Sequence, residues 1–203
     1  MNYPNGKKSY TSNRQFNHKT YGKRGMSLEE DINMTNKYCL KTNKAVIHKK
    51  PTSEQIGKVH YPRRSAAVIN EAYFKQASTT DYNGLYRGKY VDFEAKETKN
   101  KTLFPLANIH DHQIEHMKKV VNHGGISFII IRFTTYDETF YLQAEKLFKY
   151  WDDQSKSGKK SISYETIKQE SLLIPFGYQI RVDYLTIIDR LYFRDGGISD
   201  DRQ

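Results

Sequence analysis

Apolar positions recur along this chain with two periods, and each period predicts an element. In "SLEEDINMTNKYCL", residues 27 to 40, Leu28, Ile32, Thr35 and Cys39 fall at helical spacing and form one buried stripe. Ser27 with Glu30 three residues on makes a capping box that opens this helix. "AVIHK" then reads as a strand, and "ISFIIIRF", residues 126 to 133, as a strand buried on both faces, because its apolar run does not alternate. Between that pair lie two short strands around a glycine turn, within residues 79 to 101, and a helix in "NIHDHQIEHMKKVVNHGG" that Gly124 and Gly125 end. "TFYLQ" is a further strand, "AEKLFKYWDD" and "YETIKQE" are helices, and "VDYLTIIDRLYF" is a closing amphipathic helix. With no internal repeat, this order predicts an α/β protein with a mixed central sheet flanked by helices.

Three segments fall outside the periodic pattern. Residues 1 to 25 carry Lys7, Lys8, Arg14, Lys19, Lys23 and Arg24, no acid and no apolar period, which predicts a disordered basic arm. Its functional reading is contact with phosphate, and the alternative is a solubilising tail. Residues 194 to 203 read as a flexible acidic tail. From Lys49 to Lys75 the chain combines two prolines, many basic residues and short alternating patches. That is long for a connection within a compact domain, and predicts a protruding two-legged arm bearing Arg63, Arg64, Tyr73 and Phe74. The alternative is an ordinary excursion of the sheet, with Tyr73 or Phe74 in the core. The main domain is then 26 to 193, with 49 to 75 as an insertion.

Charge narrows the partner. In 203 residues, 33 Lys and Arg stand against 23 Asp and Glu, a formal charge of +10, so the field of the molecule attracts polyanions. The 16 Tyr and 10 Phe add flat surfaces on which bases stack. Nucleic acid is therefore the expected partner, against the alternative of a merely basic surface. Cys39 is the lone cysteine, which rules out an internal disulfide and a cysteine-rich zinc module and points to a small core residue in a reducing compartment. Without an apolar leader or a run of 18 uncharged apolar residues, a cytoplasmic protein with no membrane association is expected.

Against this basic background, "TTDYNGLYRGKYVDFEAKETKNK" gathers acids. Strand alternation in "KYVDFEAKE" turns Val91, Phe93 and Ala95 one way and Asp92, Glu94 and Lys96 the other, with Asp81 arriving across the "NGLYRGK" turn. A lone Glu-x-Lys on a strand is weak, since cross-strand ion pairs produce it often. An Asp followed at the right distance by Glu-x-Lys is stronger, because phosphodiester cleavage needs both of its parts. Phosphate repels hydroxide, and a divalent cation neutralises that charge and lowers the pKa of water. Mg2+ takes one or two carboxylates and keeps waters and phosphate as its other ligands, which suits Asp81 and Glu94, with the Ala95 carbonyl as a further oxygen. Lys96 is placed to orient or deprotonate the water and to stabilise charge growing on phosphorus.

The Asp81, Glu94, Lys96 pattern resembles the PD-(D/E)xK nuclease superfamily, with Thr80 where the motif has proline. "RGMSLEEDI", "VHYPRRSAAVINEAYFKQASTTDYNG", "YVDFEAKETKNK" and "HDHQIEHMK" together resemble the RecU-type Holliday junction resolvases of bacteria, in order and spacing, from residue 24 to about 193. The resemblance implies a restriction-endonuclease-like fold, a homodimer, and symmetric cutting of two strands of a four-way DNA junction with one or two Mg2+ per site, Mn2+ substituting. It implies Asp81 and Glu94 as metal ligands, Lys96 as the catalytic lysine, and Gln113 as a helix-borne polar residue aimed at the metal, the water or the scissile phosphate. An acid on the first helix belongs to the pattern, and Glu29, beside the apolar stripe and four residues after Gly25, is chosen over Glu30, which the cap occupies. The 49 to 75 segment resembles the stalk that enters the junction, where Arg64, Arg63, Tyr73 and Phe74 would engage DNA together with Lys23 and Arg24. Cooperation with a recombinase and a branch-migration helicase is implied as well.

Other readings stay open at this level. "HQIEH" matches an inverted zinc-peptidase string, but a third ligand and a peptidase scaffold are wanting, and His110, His112 and His116 read as solvated or as DNA-backbone contacts. Asp92 reads as a salt bridge to a neighbouring base. A sequence-specific restriction-type nuclease, or a non-catalytic junction binder or recombinase modulator, remains as an alternative function.

Overall fold

The computed structural model describes residues 26–51, 54–56, 59–60, 68–69, 72–74 and 79–193, with backbone alone for the short pieces between 52 and 78. Helix α1 spans Leu28–Lys41 and is followed by β1 (Val46–Lys49) and four short strands, β2 (Glu54–Ile56), β3 (Val59–His60), β4 (Val68–Ile69) and β5 (Ala72–Phe74). The hairpin β6 (Tyr82–Tyr86) and β7 (Lys89–Thr98) leads through β8 (Leu103–Pro105) to α2 (Asp111–Asn122) and β9 (Ile126–Phe133). Next come β10 (Glu138–Gln143), α3 (Ala144–Ser157), β11 (Ser161–Ser163), α4 (Tyr164–Glu170), β12 (Leu172–Leu173) and α5 (Tyr184–Tyr192).

Six strands form the central sheet in the order β1-β6-β7-β9-β10-β12. Only β7 and β9 run parallel among the pairs of this sheet; the other pairs are antiparallel. A parallel pair needs a crossover, and α2 supplies it, which lays that helix against β7 and β9. Every residue of β9 is buried, as an apolar run without alternation requires. Its Ile126, Phe128 and Ile130 join α1 and α5 in one core with Leu28, Ile32, Cys39, Tyr184 and Ile188. Ile129, Ile131 and Phe133 join α2, α3 and α4 in the second, with Ile114, Met117 and Leu147.

On the α1 side a row of rings crosses four strands. Tyr82 stacks on Phe93 at 4.8 Å, Phe93 on Phe128 at 4.7 Å, and Phe128 on Tyr141 at 4.2 Å between centroids. Such cross-strand pairs add to the burial of their own area and fix register. A slip of one residue would turn Tyr82 and Phe93 outward and take Asp81 and Glu94 to the wrong face.

The first helix forms as its sequence predicts. Leu28, Ile32, Thr35 and Cys39 are buried, and the Ser27–Glu30 capping box is complete, the Ser27 amide donating to Glu30 at 2.8 Å. The hairpin differs from its expected form. Asn83 and Gly84 lie inside β6, and the turn is Arg87–Gly88, both at positive φ. Gly84 is needed for another reason: a Cβ there would lie 1.9 Å from the Val46 carbonyl oxygen, so only glycine lets β1 approach. β7 then runs ten residues, longer than the short strand expected. The β8–β11 pair and edge strand β12 have no apolar period to announce them.

Between β1 and β6, β2 pairs with β5 and β3 with β4, each antiparallel and separate from the central sheet. The segments 1–25 and 194–203 lie outside the described residues. Among the described residues no helix is long and apolar enough to cross a membrane.

Candidate functional site

Asp81 immediately precedes β6, and the β6–β7 register, Tyr82 opposite Phe93, carries it to the level of Glu94. The Asp81 amide donates to Glu94 Oε2 at 3.1 Å. Strand alternation keeps Lys96 on the same face, and its Nζ stands 2.6 Å from Glu94 Oε1. The pattern read from sequence is thus one local constellation, contributed by β7 and the residue that leads into β6.

Its electrostatics are unbalanced. Glu94 is fully buried, at 0% exposure, while Lys96 keeps 23% of its side chain in solvent. The Lys96 ammonium is close to Glu94 Oε1 but off hydrogen-bond alignment, so this buried oxygen lacks a well-directed donor. Burial pushes the Glu94 carboxyl up to about 8, and contact with the Asp81 carboxyl adds to the rise; Lys96 opposes both without cancelling them. Two acids this close share a proton or a cation, because both cannot stay charged and unpaired.

Gln113 and Glu29 sit differently. Gln113 is buried on the first turn of α2, where its Oε1 accepts the His110 amide proton at 3.0 Å and closes the helix cap. Glu29, on the first turn of α1, is 55% exposed and pairs with Lys49 at 2.6 Å. Burial pushes the Tyr82 hydroxyl well up, and the negative charges of Glu29, Asp81 and Glu94 add to the rise. Among the described residues, however, no three His, Cys, Asp or Glu side chains converge into a cation cage, and Glu29 does not join Asp81 and Glu94 in one.

Asp92 is the larger surprise. The expected salt bridge is present, to Lys50 at 2.9 Å, but His116 also reaches it at 3.1 Å and is neither merely solvated nor free for DNA through that nitrogen. Helix periodicity puts His116 three residues after Gln113 on the face that meets β7, which the reading of this histidine overlooked. His110 and His112 stack at 5.3 Å. Burial most, and then the neighbouring His110, lower the pKa of His112, with Lys96 adding least.

Lys23, Arg24, Arg63 and Arg64 lie outside the described residues. For Tyr73 and Phe74 the backbone is described, opposite Gln55 and Glu54 in the β2–β5 ladder. Two hollows of about 520 and 580 Å³, lined by residues such as Tyr150 and Ile162 or Trp151 and Leu106, include none of the acids or the lysine. The constellation is therefore not set in either of these small-molecule-sized cavities.

The model of the family described as Recombination protein U matches residues 23–190. The chain belongs to the RecU family. The Holliday junction resolvase RecU of Oceanobacillus iheyensis is 62% identical over 196 residues, 95% of this chain and 100% of that protein. The protein of the same name from Bacillus subtilis is 55% identical over 199 residues, 95% of this chain and 96% of its own length. That from a Geobacillus species is 60% identical over 173 residues, 85% and 86% of the two chains. The matched stretch includes "YVDFEAKETKNK" and "HDHQIEHMK", which supply Glu94, Lys96, Asp92, Gln113 and His116.

Proposed function

We propose that this chain is a divalent-metal-dependent endodeoxyribonuclease that resolves Holliday junctions by paired, symmetric nicks in homologous recombination and repair. The observation that supports it most is the buried Glu94 carboxyl, raised by burial and by Asp81 and only partly compensated by Lys96. A carboxylate held in that state is a ligand for a hard cation; two carboxylates and a phosphate suit Mg2+, with Mn2+ in its place. When bound, such an ion neutralises phosphate charge and lowers the pKa of water.

The residues of the chain do the rest. Asp81 and Glu94 hold the ion from adjacent strands, in a register fixed by the ring stack behind them. Gln113, anchored by its helix cap, completes the site from α2. Glu29 stands outermost, where Lys49 holds it. Lys96, partly open to solvent, meets the scissile phosphate, orients the attacking water and stabilises the charge that develops on phosphorus. In-line attack leaves 5′-phosphate and 3′-hydroxyl ends.

The paired nicks imply a symmetric homodimer, because an isologous dimer presents two identical sites to a nearly symmetric junction. Arg64, Arg63, Tyr73 and Phe74 on the 49 to 75 segment, with Lys23 and Arg24, engage the junction, and a net charge of +10 makes the binding salt-dependent. A recombinase and a branch-migration helicase are the proposed protein partners, in the cytoplasm. Cleavage of a synthetic mobile four-way junction and of matched linear duplex, with Mg2+ and with EDTA, tests the proposal. Paired nicks in the junction alone, dependent on Mg2+, are expected; equal cutting of the duplex or cutting in EDTA would contradict it.

A further inference from the structure

Asp92 carries no role in the chemistry above, yet it is a fully buried charge, at 0% exposure, two residues from Glu94 on the same face of β7. Burying an ion is costly unless its partners satisfy it. A carboxylate offers about four acceptor sites, and here the Lys50 ammonium at 2.9 Å, the Tyr90 hydroxyl at 3.1 Å and His116 Nε2 at 3.1 Å all meet Oδ2, while the Thr80 hydroxyl donates to Oδ1. A core without functional demands is served as well by an apolar residue at this position. Where the partners come from explains the choice.

Lys50 follows the last residue of β1 and Thr80 stands two residues before β6, so the two flank the stretch that links these strands. Both bind Asp92, and Lys50 Nζ also reaches Thr80 Oγ1 at 3.0 Å. The Lys50 amide donates to the Asp81 carbonyl at 2.7 Å, so Lys50 grips Asp81 directly and through Thr80. His116 ties in α2, the helix of Gln113. One carboxylate thus joins the two ends of that stretch, the catalytic strand and the helix that faces it. Thr80 also acquires a reason: the proline of the superfamily motif has no hydroxyl to give Asp92.

We propose that Asp92 is a positioning residue: it clasps Lys50 and Thr80 at the ends of the stretch between β1 and β6 and thereby holds Asp81 opposite Glu94 in cation-binding geometry. This rests on the metal reading of Asp81 and Glu94 given above. It acts through Thr80 and Lys50 and touches neither substrate nor ion.

The test is Mn2+ binding to the full-length protein without DNA, followed by electron paramagnetic resonance of the free ion. Wild type is compared with Asp92→Asn, which keeps the shape and removes the charge, and Thr80→Val, which removes one contact and leaves the charge. Melting temperature and junction affinity in EDTA are measured alongside. The Mn2+ dissociation constant is expected to rise about tenfold in Asp92→Asn, as for outer-shell partners of metal sites, and by a smaller factor in Thr80→Val, with junction affinity in EDTA unchanged. Wild-type Mn2+ affinity in folded variants that only melt lower would overturn the proposal. If Asp92→Asn does not fold, Thr80→Val decides by the same reading. Failure of the wild type to take up Mn2+ would overturn the metal reading itself, and this inference with it.

Discussion

Asp31 and Glu94 are both buried acids, one on a helix and the other on a strand of the central sheet, and their surroundings could hardly differ more. Asp31, on α1, receives Arg132 from β9 at 2.7 Å on one oxygen and Arg181 at 3.1 Å on the other. Arg132 is further held by Thr139 at 2.9 Å. Two cations and directed hydrogen bonds leave that acid nothing to recruit. Glu94 has the Asp81 amide on one oxygen, one poorly aligned ammonium near the other, and a second acid at its side. Compensated buried charge holds structure together; charge left short of compensation is a site that waits for a ligand.

The comparison is sharpest in catalysis. Lys96→Ala should lower junction cleavage by about a thousandfold, within the range for groups that move or neutralise charge in a transition state, while junction binding in EDTA persists. Parallel loss of cleavage and binding would show that Lys96 serves the fold. Asp31→Ala should do the reverse. It strands Arg132 and should cost about 3 kcal/mol in denaturant unfolding, the low end for a broken buried pair, because Arg181 keeps some solvent contact. Metal affinity should not change beyond that loss of stability.

Next in size is the pH dependence of stability without metal. The Glu94 carboxyl titrates near 8 in the fold against an ordinary 4.5. Between those values the native state holds a proton that the unfolded chain has released, so stability falls as pH rises through that window and levels above it. Glu94→Gln should flatten the slope and raise the melting temperature of the metal-free protein at pH 9. A wild-type profile as flat as that of the variant would remove the imbalance that sets Glu94 apart from Asp31. Smallest is Glu29→Gln: an exposed pair with Lys49 is worth under about 1 kcal/mol, and Mn2+ affinity should change by less than about threefold. A larger loss, read by the same titration, would move Glu29 inward to the ion.

The Glu94 side of this comparison is legible in the sequence and the Asp31 side is not, for physical reasons. Asp81, Glu94 and Lys96 could be placed together because strand alternation has a period of two and one hairpin brings them face to face. The stripe of α1 and the buried run of β9 are similarly local. Arg132, Arg181 and Asp31 meet across 101 and 150 residues, a separation no local period encodes. Lys50 and Thr80 stand 30 residues apart, and only the pairing of β1 with β6 makes them neighbours. The "NGLYRGK" stretch reads as one turn, yet Gly84 lies within β6, where it allows the close passage of β1, a demand made by another strand.

Proton release on metal binding tests the central claim most directly. Calorimetric titration of Mn2+ into the metal-free protein, in buffers of different ionisation enthalpy, counts protons displaced from Glu94. At pH 7 the wild type should release close to one proton for each ion bound there, falling towards none above pH 9, and Glu94→Gln should release none at either pH. Equal Mn2+ affinity in wild type and Glu94→Gln, with no proton displaced at pH 7, would contradict the account.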